Sequence, residues 1–348
     1  GDFDFARASV ATRVNEQGLI EEVASGLPRI DYTDGSGSWL LEPTATNLLT
    51  YSEDFSNASW SKQPNTTFTY NIAETLSPDG TNNATKAVGN GTDGILTSSV
   101  SATGVVARSI YLKSVTGTVN VILKDPNATI TEKSLTVTTD WQRFDLVEDN
   151  GGSLQGMWID DIPSSGIYIY GAQLEQNSYA TSYIKTVGTA QTRVADTASG
   201  SGNSTVINST EGTLYAEISA LVNTDPLNRT ISLSDGTVTN RLELLLSSTG
   251  TIQGRFDSAS SDITLTKTGL DTSNNNKIAL AWSSGKCVLW VNGVKEQEDL
   301  TFNTFLSNTL IDLSFYSVFS GSSSIFYGKA KSVQVYTTAL SDAELTSL

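Results

Sequence analysis

The chain has 348 residues, which is enough for two or three domains with cores of their own. Its 21 lysines and arginines stand against 37 aspartates and glutamates, and a formal net charge of −16 argues against nucleic acid and anionic membranes as partners. The absence of histidine excludes serine–histidine catalysis and histidine metal sites, and a single cysteine excludes an intrachain disulfide.

The cysteine, Cys287, lies in the apolar run Cys287–Trp290, where a small buried hydrophobic residue is expected. No apolar run reaches the ~18 residues of a membrane span, so membrane insertion is not expected. The start Gly1-Asp2-Phe3 carries no signal-peptide pattern and suggests a tag remnant, a processed chain or a fragment of a longer protein.

The first 50 residues predict a hairpin and two further short strands. Ala11–Val14 and Leu19–Val23 flank the turn Asn15–Gly18, in which the glycine supplies a positive φ. Pro28–Tyr32 and Trp39–Glu42 follow. This is too little chain for a core, so residues 1–50 are interpreted as a segment that docks on the next domain or on a neighbouring subunit.

Residues 51–185 predict a first full domain, a jelly roll of eight short strands. In its last strand, Ile167 and Ile169 alternate with Tyr168 and Tyr170 on opposite faces, and Gly171 then suggests a bulge. The expected strands are Phe68–Ile72, Gly94–Val100, Val105–Lys113, Thr118–Lys124, Lys133–Val137, Trp141–Val147, Leu154–Ile159 and Gly166–Leu174.

Residues 186–210 predict a linker, because Thr197–Thr205 is rich in glycine and serine and is expected to be mobile. Ala11–Val14 is echoed by Gln191–Val194 just before this stretch. The echo is either a coincidence of similar environments or a sign that the two segments pair and close the first domain.

Residues 211–348 predict a second domain of β-strands. Asn292-Gly293 is a strong tight-turn signal, and Ser341–Glu344 forms a capping box that opens one short helical turn. The expected strands are Leu214–Leu221, Arg229–Leu233, Arg241–Ser247, Thr251–Asp257, Lys277–Ser283, Lys286–Val291, Thr309–Phe315 and Lys331–Tyr336. The chain is therefore predicted to be all-β, with two β-sandwich domains of jelly-roll type in tandem.

Residues 211–348 resemble the laminin-G-like, concanavalin-A-like jelly roll. The phrases that carry this resemblance are Lys277–Trp282, Leu289–Val294, and the terminal Val333–Tyr336 with Ala339–Leu345. The first 195 residues resemble a module of tailed-phage virion proteins such as tail fibres and spikes, with a fold related to carbohydrate-binding modules. The phrases that carry this second resemblance are Arg7–Asn15, Gly18–Glu21, Leu40–Leu49, Tyr51–Phe55 before Trp60, and Trp141–Thr186 with its ending Tyr179–Ile184.

Catalysis is not expected. Glycosidases need two carboxylates across a cleft, and the Glu-x-Asp-x-x-Glu pattern of concanavalin-A-like glycosidases is missing. Asp160-Asp161 is a carboxylate pair, but adjacent strand residues point to opposite faces, so it is better interpreted as a loop feature before Pro163. Lyases of this fold use a histidine and a tyrosine, and this sequence has no histidine.

Exposed aromatic side chains are the candidates for glycan binding, because their flat rings can stack on sugar faces. Trp282 and Trp290 lie in the most apolar strand pair and are expected in the core. The tyrosine face of the first domain and the loops of the second are the favoured surfaces. The candidate residues are Trp60, Trp158, Tyr168, Tyr170, Tyr316 and Tyr327.

Calcium is a possible cofactor, because both fold types often carry one and aspartates are abundant. The favoured site is the loop around Asp160 and Asp161, although no run of the calcium-loop type occurs. The alternative is that these carboxylates are solvated turn residues.

The leading functional hypothesis is a non-catalytic phage virion surface protein, from a tail fibre, spike or head appendage, that contacts host-surface glycans. Fibres are commonly trimers, so a homotrimer is expected in the particle. Two alternatives stay open. One is a structural adaptor that uses its N-terminal segment to dock on other virion proteins, and the other is a carbohydrate-binding accessory region of a secreted bacterial protein.

Overall fold

A computed structural model of the chain describes residues 2–127, 132–223, 228–247, 249–319 and 321–348. The prediction of an all-β chain with β-sandwich domains is confirmed, since the regular elements of the described residues are strands, apart from one short helix, α1 (Asp342–Ser347). Ser341 caps this helix in the predicted capping box with Glu344. No helix within the described ranges is long and apolar enough to cross a membrane.

Six short strands precede the first sandwich. The predicted hairpin is confirmed, because β2 pairs with β3 and Val14 lies opposite Ile20. Asn15 holds the turn, where its side-chain oxygen accepts bonds from the backbone of Gln17 and Leu19. The six strands are β1 (Asp4–Ala6), β2 (Ala11–Val14), β3 (Ile20–Val23), β4 (Arg29–Asp31), β5 (Ser38–Leu41) and β6 (Ala45–Asn47).

The first sandwich packs two five-stranded sheets, in the orders β13-β12-β15-β10-β7 and β14-β11-β16-β9-β8. Its core contains inward-facing aliphatic residues of both sheets, such as Ile110, Leu123 and Ile159. The strands are β7 (Ser61–Lys62), β8 (Thr67–Thr69), β9 (Thr85–Val88), β10 (Ile95–Ser101), β11 (Val106–Ser114), β12 (Val119–Lys124), β13 (Glu132–Val137), β14 (Gln142–Glu148), β15 (Leu154–Asp160) and β16 (Ile167–Glu175).

Strand β16 alternates as the sequence predicts. Ile167 and Ile169 enter the core, and Tyr168 and Tyr170 lie on the outer face of the sheet. Gly171 has a φ of +62°, and the register between β11 and β16 shifts beside it. An added Cβ there would lie 3.2 Å from the Tyr111 ring, so the positive φ and the nearby ring both favour glycine at this bulge.

The stretch of residues 186–210 contributes two short strands, β17 (Gln191–Arg193) and β18 (Thr197–Ser199). Strand β17 pairs with β6 and β18 pairs with β1, so β2 and β17 do not pair with each other. The interpretation of the echoed segments as a closing pair is therefore wrong. Ala198, which is buried, packs into the second sandwich and holds the glycine-rich part of this stretch in place.

The second sandwich packs two seven-stranded sheets, and its strands come from both ends of the chain. One sheet has the order β26-β25-β24-β19-β30-β5-β4, and the other has the order β23-β22-β21-β20-β29-β28 with β27 also paired to β20. The strands are β19 (Gly212–Ala220), β20 (Arg229–Ser234), β21 (Arg241–Ser247), β22 (Thr251–Ser258), β23 (Ser261–Lys267), β24 (Asn276–Ser283), β25 (Lys286–Val291), β26 (Val294–Asp299), β27 (Asp312–Ser314), β28 (Tyr316–Ser317), β29 (Gly321–Ile325) and β30 (Gly328–Tyr336).

Strands β4 and β5 of the N-terminal segment extend a sheet of the second sandwich. Trp39 of β5 pairs with Ala330 of β30, and Leu41 is fully buried in the core of this sandwich. A segment too short for a core of its own thus gains one by pairing with β30, which lies almost 300 residues further along the chain.

The most apolar strand pair of the second sandwich, β24 and β25, is buried on both faces. Trp282 and Cys287 lie in the core, as predicted. Trp290 is also buried, but on the outer face, where Leu345 of α1 covers it. The short helix therefore closes an apolar face of the sheet.

Candidate functional site

Five charged side chains of distant segments form a buried cluster, the ion network: Arg7, Arg29, Glu42, Arg193 and Asp196. The Asp196 carboxylate binds Arg7 Nη1 at 3.0 Å and Arg29 Nη2 at 2.5 Å. Glu42 Oε2 binds Arg29 Nη1 at 2.7 Å and Arg193 Nη1 at 2.8 Å. Because all five are buried, each charge depends on the others for compensation.

Glu42 connects this network to the segment Tyr179–Ile184. Ser182 donates its backbone N–H to Glu42 Oε1 at 2.7 Å and its hydroxyl to Oε2 at 2.6 Å. Burial would raise the pKa of Glu42, but Arg193, Arg29 and the two bonds from Ser182 lower that pKa to about 2. The carboxylate is therefore ionised at neutral pH and joins the N-terminal segment to the end of the first sandwich.

A groove of about 570 Å³ lies beside the ion network, between the two sandwiches. We call it the inter-sandwich groove. Its volume is within the range of ligand pockets, and such pockets often form where domains meet. Its walls come from four parts of the chain, represented by Asp31 and Tyr32 of the N-terminal segment, Tyr111, Trp141 and Arg143 of the first sandwich, Thr181 to Tyr183, and Leu221 and Lys329 of the second sandwich.

The wall from the first sandwich is aromatic with one cation. Tyr111 of β11 and Arg143 of β14 lie opposite each other in register, and the guanidinium carbon is 5.4 Å from the centroid of the Tyr111 ring. Trp141 immediately precedes β14, and its Nε1 donates to the carbonyl of Leu76 at 2.8 Å. All three side chains are partly exposed, so the groove presents two aromatic rings and one guanidinium.

The opposite wall combines an aspartate, a tyrosine and a lysine. Asp31 accepts backbone bonds from Val14 at 2.9 Å and Thr33 at 3.1 Å. Lys329 Nζ lies 3.4 Å from Asp31 and also binds Asp34. Tyr32 is partly exposed between these groups. The wall thus offers hydrogen-bonding groups whose positions are fixed by the turn after β4.

Two buried tyrosines, Tyr183 of the groove wall and its neighbour Tyr170, are held by one carboxylate. Tyr170 and Tyr183 donate their hydroxyls to Glu53 Oε1 at 3.0 and 2.9 Å. Burial raises the pKa of Tyr111, Tyr170 and Tyr183, so their hydroxyls stay protonated at neutral pH. Tyr170 and Tyr183 therefore serve as hydrogen-bond donors to Glu53.

Three of the glycan-binding residues proposed from the sequence lie in the interior. Trp60 is 2% exposed, packs on Phe55 and donates its Nε1 to the carbonyl of Tyr51 at 2.9 Å. Ile72 and Ala84 cover Tyr168, and Ile20 of the hairpin covers Tyr170. The tyrosine face of β16 is therefore covered by other segments and presents no open ring, which corrects the expected aromatic platform.

The other three residues proposed from the sequence are partly exposed but scattered. Trp158 lies on the outer face of the other sheet, with Lys124 Nζ 4.0 Å from its ring centroid. Tyr316 forms part of β28, and Tyr327 lies between β29 and β30. None of the three lines the inter-sandwich groove.

The calcium site predicted at Asp160 and Asp161 stays a prediction, and the two residues differ in their surroundings. Asp160 is buried, and its Oδ2 binds Lys124 Nζ at 2.6 Å. Asp161 adopts a φ of +55°, so the backbone turns at this point. Among the described residues, no group of three or more histidine, cysteine, aspartate or glutamate side chains is placed to hold a metal.

The sequence interpretation missed Tyr32, Tyr111, Trp141 and Arg143 as groove residues. A usable signal was present for two of them: the run Trp141-Gln142-Arg143 places an aromatic ring and a cation two residues apart, on one face of a strand. The opposite wall could not be inferred, because it forms only when β4 and β30 belong to the same sheet.

No protein-family model matches the sequence, and no curated protein matches it either. Solved structures with a similar arrangement include the CBM40 module of the Ruminococcus gnavus IT-sialidase, at 19% identity and a TM-score of 0.36. That match covers 43% of this chain and 92% of the module.

Two further similar structures are domain 4 of AbnA, a GH43 arabinanase of Geobacillus stearothermophilus in complex with arabinotriose, and a pentraxin of Limulus polyphemus. The first has 12% identity and a TM-score of 0.36 and covers 44% of this chain and 72% of that one. The pentraxin has 12% identity and a TM-score of 0.34, and the match covers 42% of this chain and 72% of the pentraxin chain.

Proposed function

We propose that this chain is a non-catalytic glycan-binding protein whose binding site is the inter-sandwich groove. The observation that carries the proposal is the convergence of partly exposed aromatic rings, Trp141 and Tyr111, with charged and hydroxyl groups in one groove of about 570 Å³. Sugars present an apolar ring face and a rim of hydroxyls, so they suit a site of rings bordered by fixed polar groups.

The carboxylates at the groove support a binding role without catalysis. A glycosidase needs one carboxyl group that holds a proton near neutral pH. The pKa of Glu42 is about 2, and Glu42 is enclosed by arginines. Asp31 is occupied by backbone donors and Lys329. Neither carboxylate is free to act as an acid or as a nucleophile.

The setting that we propose is the surface of a tailed-phage virion. Its support is the set of phrases over residues 7–195 that resembles such proteins, among them Leu40–Leu49 and Tyr179–Ile184. Immunogold labelling of purified particles with an antibody against this chain should mark an exposed appendage, and labelling only of disrupted particles would contradict the proposal. Light scattering on the purified chain tests the expected homotrimer.

A structural adaptor is the second candidate, favoured by an apolar groove on the N-terminal segment. Phe3, Phe5 and Trp39 line this groove together with Phe315, and Ile30 at its rim is 39% exposed. Substitution Ile30→Asp should reduce incorporation into particles if the chain is an adaptor, and should leave incorporation unchanged if its role is glycan binding alone. Genes of secreted hydrolases beside this one would favour an accessory module of a bacterial enzyme.

A glycan array with the full chain tests the binding function, followed by titration calorimetry on the glycans that bind. Trp141→Ala should weaken binding by about tenfold or more, because it removes the largest ring of the groove. Trp158→Ala is the matched control, since Trp158 is also partly exposed but lies on the other sheet. Equal loss with both variants, or no binding on the array, would refute the groove as a glycan site.

A further inference from the structure

Arg143 is a cation of the groove that forms no ion pair with a carboxylate of the described residues. Its Nη2 donates to Ser109 Oγ at 2.9 Å, its Nε is buried without a hydrogen-bond partner, and its Nη1 has no hydrogen bond to any described residue. No carboxylate oxygen of the described residues lies within 4.0 Å of the guanidinium nitrogens. A half-buried guanidinium in this state lacks the acceptor that the fork of an arginine side chain is shaped to bind.

Most other arginines of the chain have such an acceptor. Seven of them form ion pairs with aspartate or glutamate within 4.0 Å: Arg7, Arg13, Arg29, Arg108, Arg193, Arg241 and Arg255. With a net charge of −16, carboxylates are plentiful in this protein. The absence of one beside Arg143 is therefore a feature of the groove and not a shortage of acidic groups.

The acidic groups near Arg143 are held by other partners. Glu175 accepts bonds from the backbone N–H of Thr181 at 2.9 Å and from its hydroxyl at 2.5 Å. Asp31 and Glu42 are bound as described above. The groove thus keeps its own carboxylates bound while it presents one cation against the face of Tyr111.

We infer that the groove selects a glycan bearing a carboxylate, which binds Arg143, while the sugar ring lies on Trp141 and Tyr111. The inference rests on the proposed glycan-binding function, and it adds the class of ligand and the residue that binds its carboxylate. A guanidinium binds a planar carboxylate through two parallel hydrogen bonds, and partial burial beside an aromatic ring strengthens that contact. The carboxylate can come from a uronic acid or from a sialic acid.

Calorimetric titration of the full chain with paired ligands tests the inference. The probes are a trigalacturonate, 3′-sialyllactose, the carboxyl-reduced form of each, and a sulfated oligosaccharide that has no carboxylate. We expect one carboxylated probe to bind about tenfold or more tightly than its reduced form. Which of the two does so distinguishes a uronic from a sialic acid.

Variants of Arg143 test whether this residue causes the preference for carboxylated ligands. Arg143→Gln should bind the carboxylated and reduced forms equally, and Arg143→Lys should retain part of the preference, because a lysine keeps the charge but not the fork. Arg255→Gln is the matched control, since this partly exposed arginine lies in the second sandwich. Circular dichroism and the melting temperature of each variant establish that it is folded.

The outcomes separate the two proposals. Binding that depends on Trp141 but is equal for carboxylated and reduced forms, or strongest for the sulfated probe, would overturn the carboxylate inference and leave the glycan-binding function standing. An acid preference that survives in Arg143→Gln would overturn the role of Arg143. Absence of binding to every probe and on the array, or binding unaffected by Trp141→Ala, would overturn the proposed function itself.

Discussion

At the scale of single residues, the ion network explains why the most distinctive phrases of the sequence stand where they do. Arg7, Glu42 and Ser182 belong to three separate phrases, and they meet around Arg29 and Arg193. Buried ion pairs contribute little net stability compared with apolar packing, but removal of one partner leaves the other buried charges without compensation. The phrases therefore encode a junction between segments, whatever ligand the groove binds.

The first prediction concerns Glu42 and its dependence on pH. Glu42→Gln should lower the free energy of unfolding at pH 7 by about 3–5 kcal/mol, because two buried arginines lose their shared carboxylate. The lowered pKa of Glu42 stabilises the folded protein above the usual glutamate pKa of 4.5, and this contribution is lost as pH falls towards 2. The difference between variant and wild type should therefore shrink over that window.

Urea denaturation at several pH values measures this difference. Glu74→Gln is the control, since Glu74 also forms an ion pair, with Lys86, but its side chain is 54% exposed. That substitution should cost about 1 kcal/mol or less. A cost for Glu42→Gln as small as that of the control would contradict the buried network.

At the scale of elements, local patterns predicted local structure well. The alternation in Ile167–Tyr170, the turn at Asn292-Gly293 and the hairpin of β2 and β3 are all confirmed, because each depends on neighbours within a few residues. What covers an outer face depends on distant segments. The tyrosines of β16 therefore point to the predicted outer face of the sheet, but the hairpin and residues 72–84 cover that face.

The second prediction tests the membership of β5 in the second sandwich. Leu41→Ala should lower the free energy of unfolding by about 2–5 kcal/mol, because Leu41 is fully buried among residues of β19 to β30. Leu27→Ala is the matched control, at 55% exposure in the same segment, and should change stability by about 0.5 kcal/mol or less. Equal effects of the two substitutions would mean that β5 does not belong to this core.

At the scale of the whole molecule, the chain passes back and forth between the two sandwiches, both in the segment before the first sandwich and in the segment after it. Strand β1 pairs with β18 beside the second sandwich, the hairpin packs on the first, β4 and β5 extend the second, and β6 returns to pair with β17. Composition and local pattern indicate how many cores a chain of this length can form, but they carry no information about such crossings. For the same reason the groove, which needs walls from both sandwiches, could not be located from the sequence.

This threading leads to the last prediction, which concerns cooperativity. Two sandwiches joined by a free linker would unfold in two calorimetric transitions, whereas the shared strands and the ion network should make this chain unfold in one. For 348 residues acting as one unit, the unfolding enthalpy should be about 240 kcal/mol near 60 °C, with equal calorimetric and van't Hoff values. Glu42→Gln removes part of the junction while it leaves both cores intact, so it should lower the van't Hoff enthalpy relative to the calorimetric one. Two resolved transitions in the wild-type protein would show that the junction does not couple the sandwiches, and the inter-sandwich groove would then lack the fixed walls on which selective binding depends.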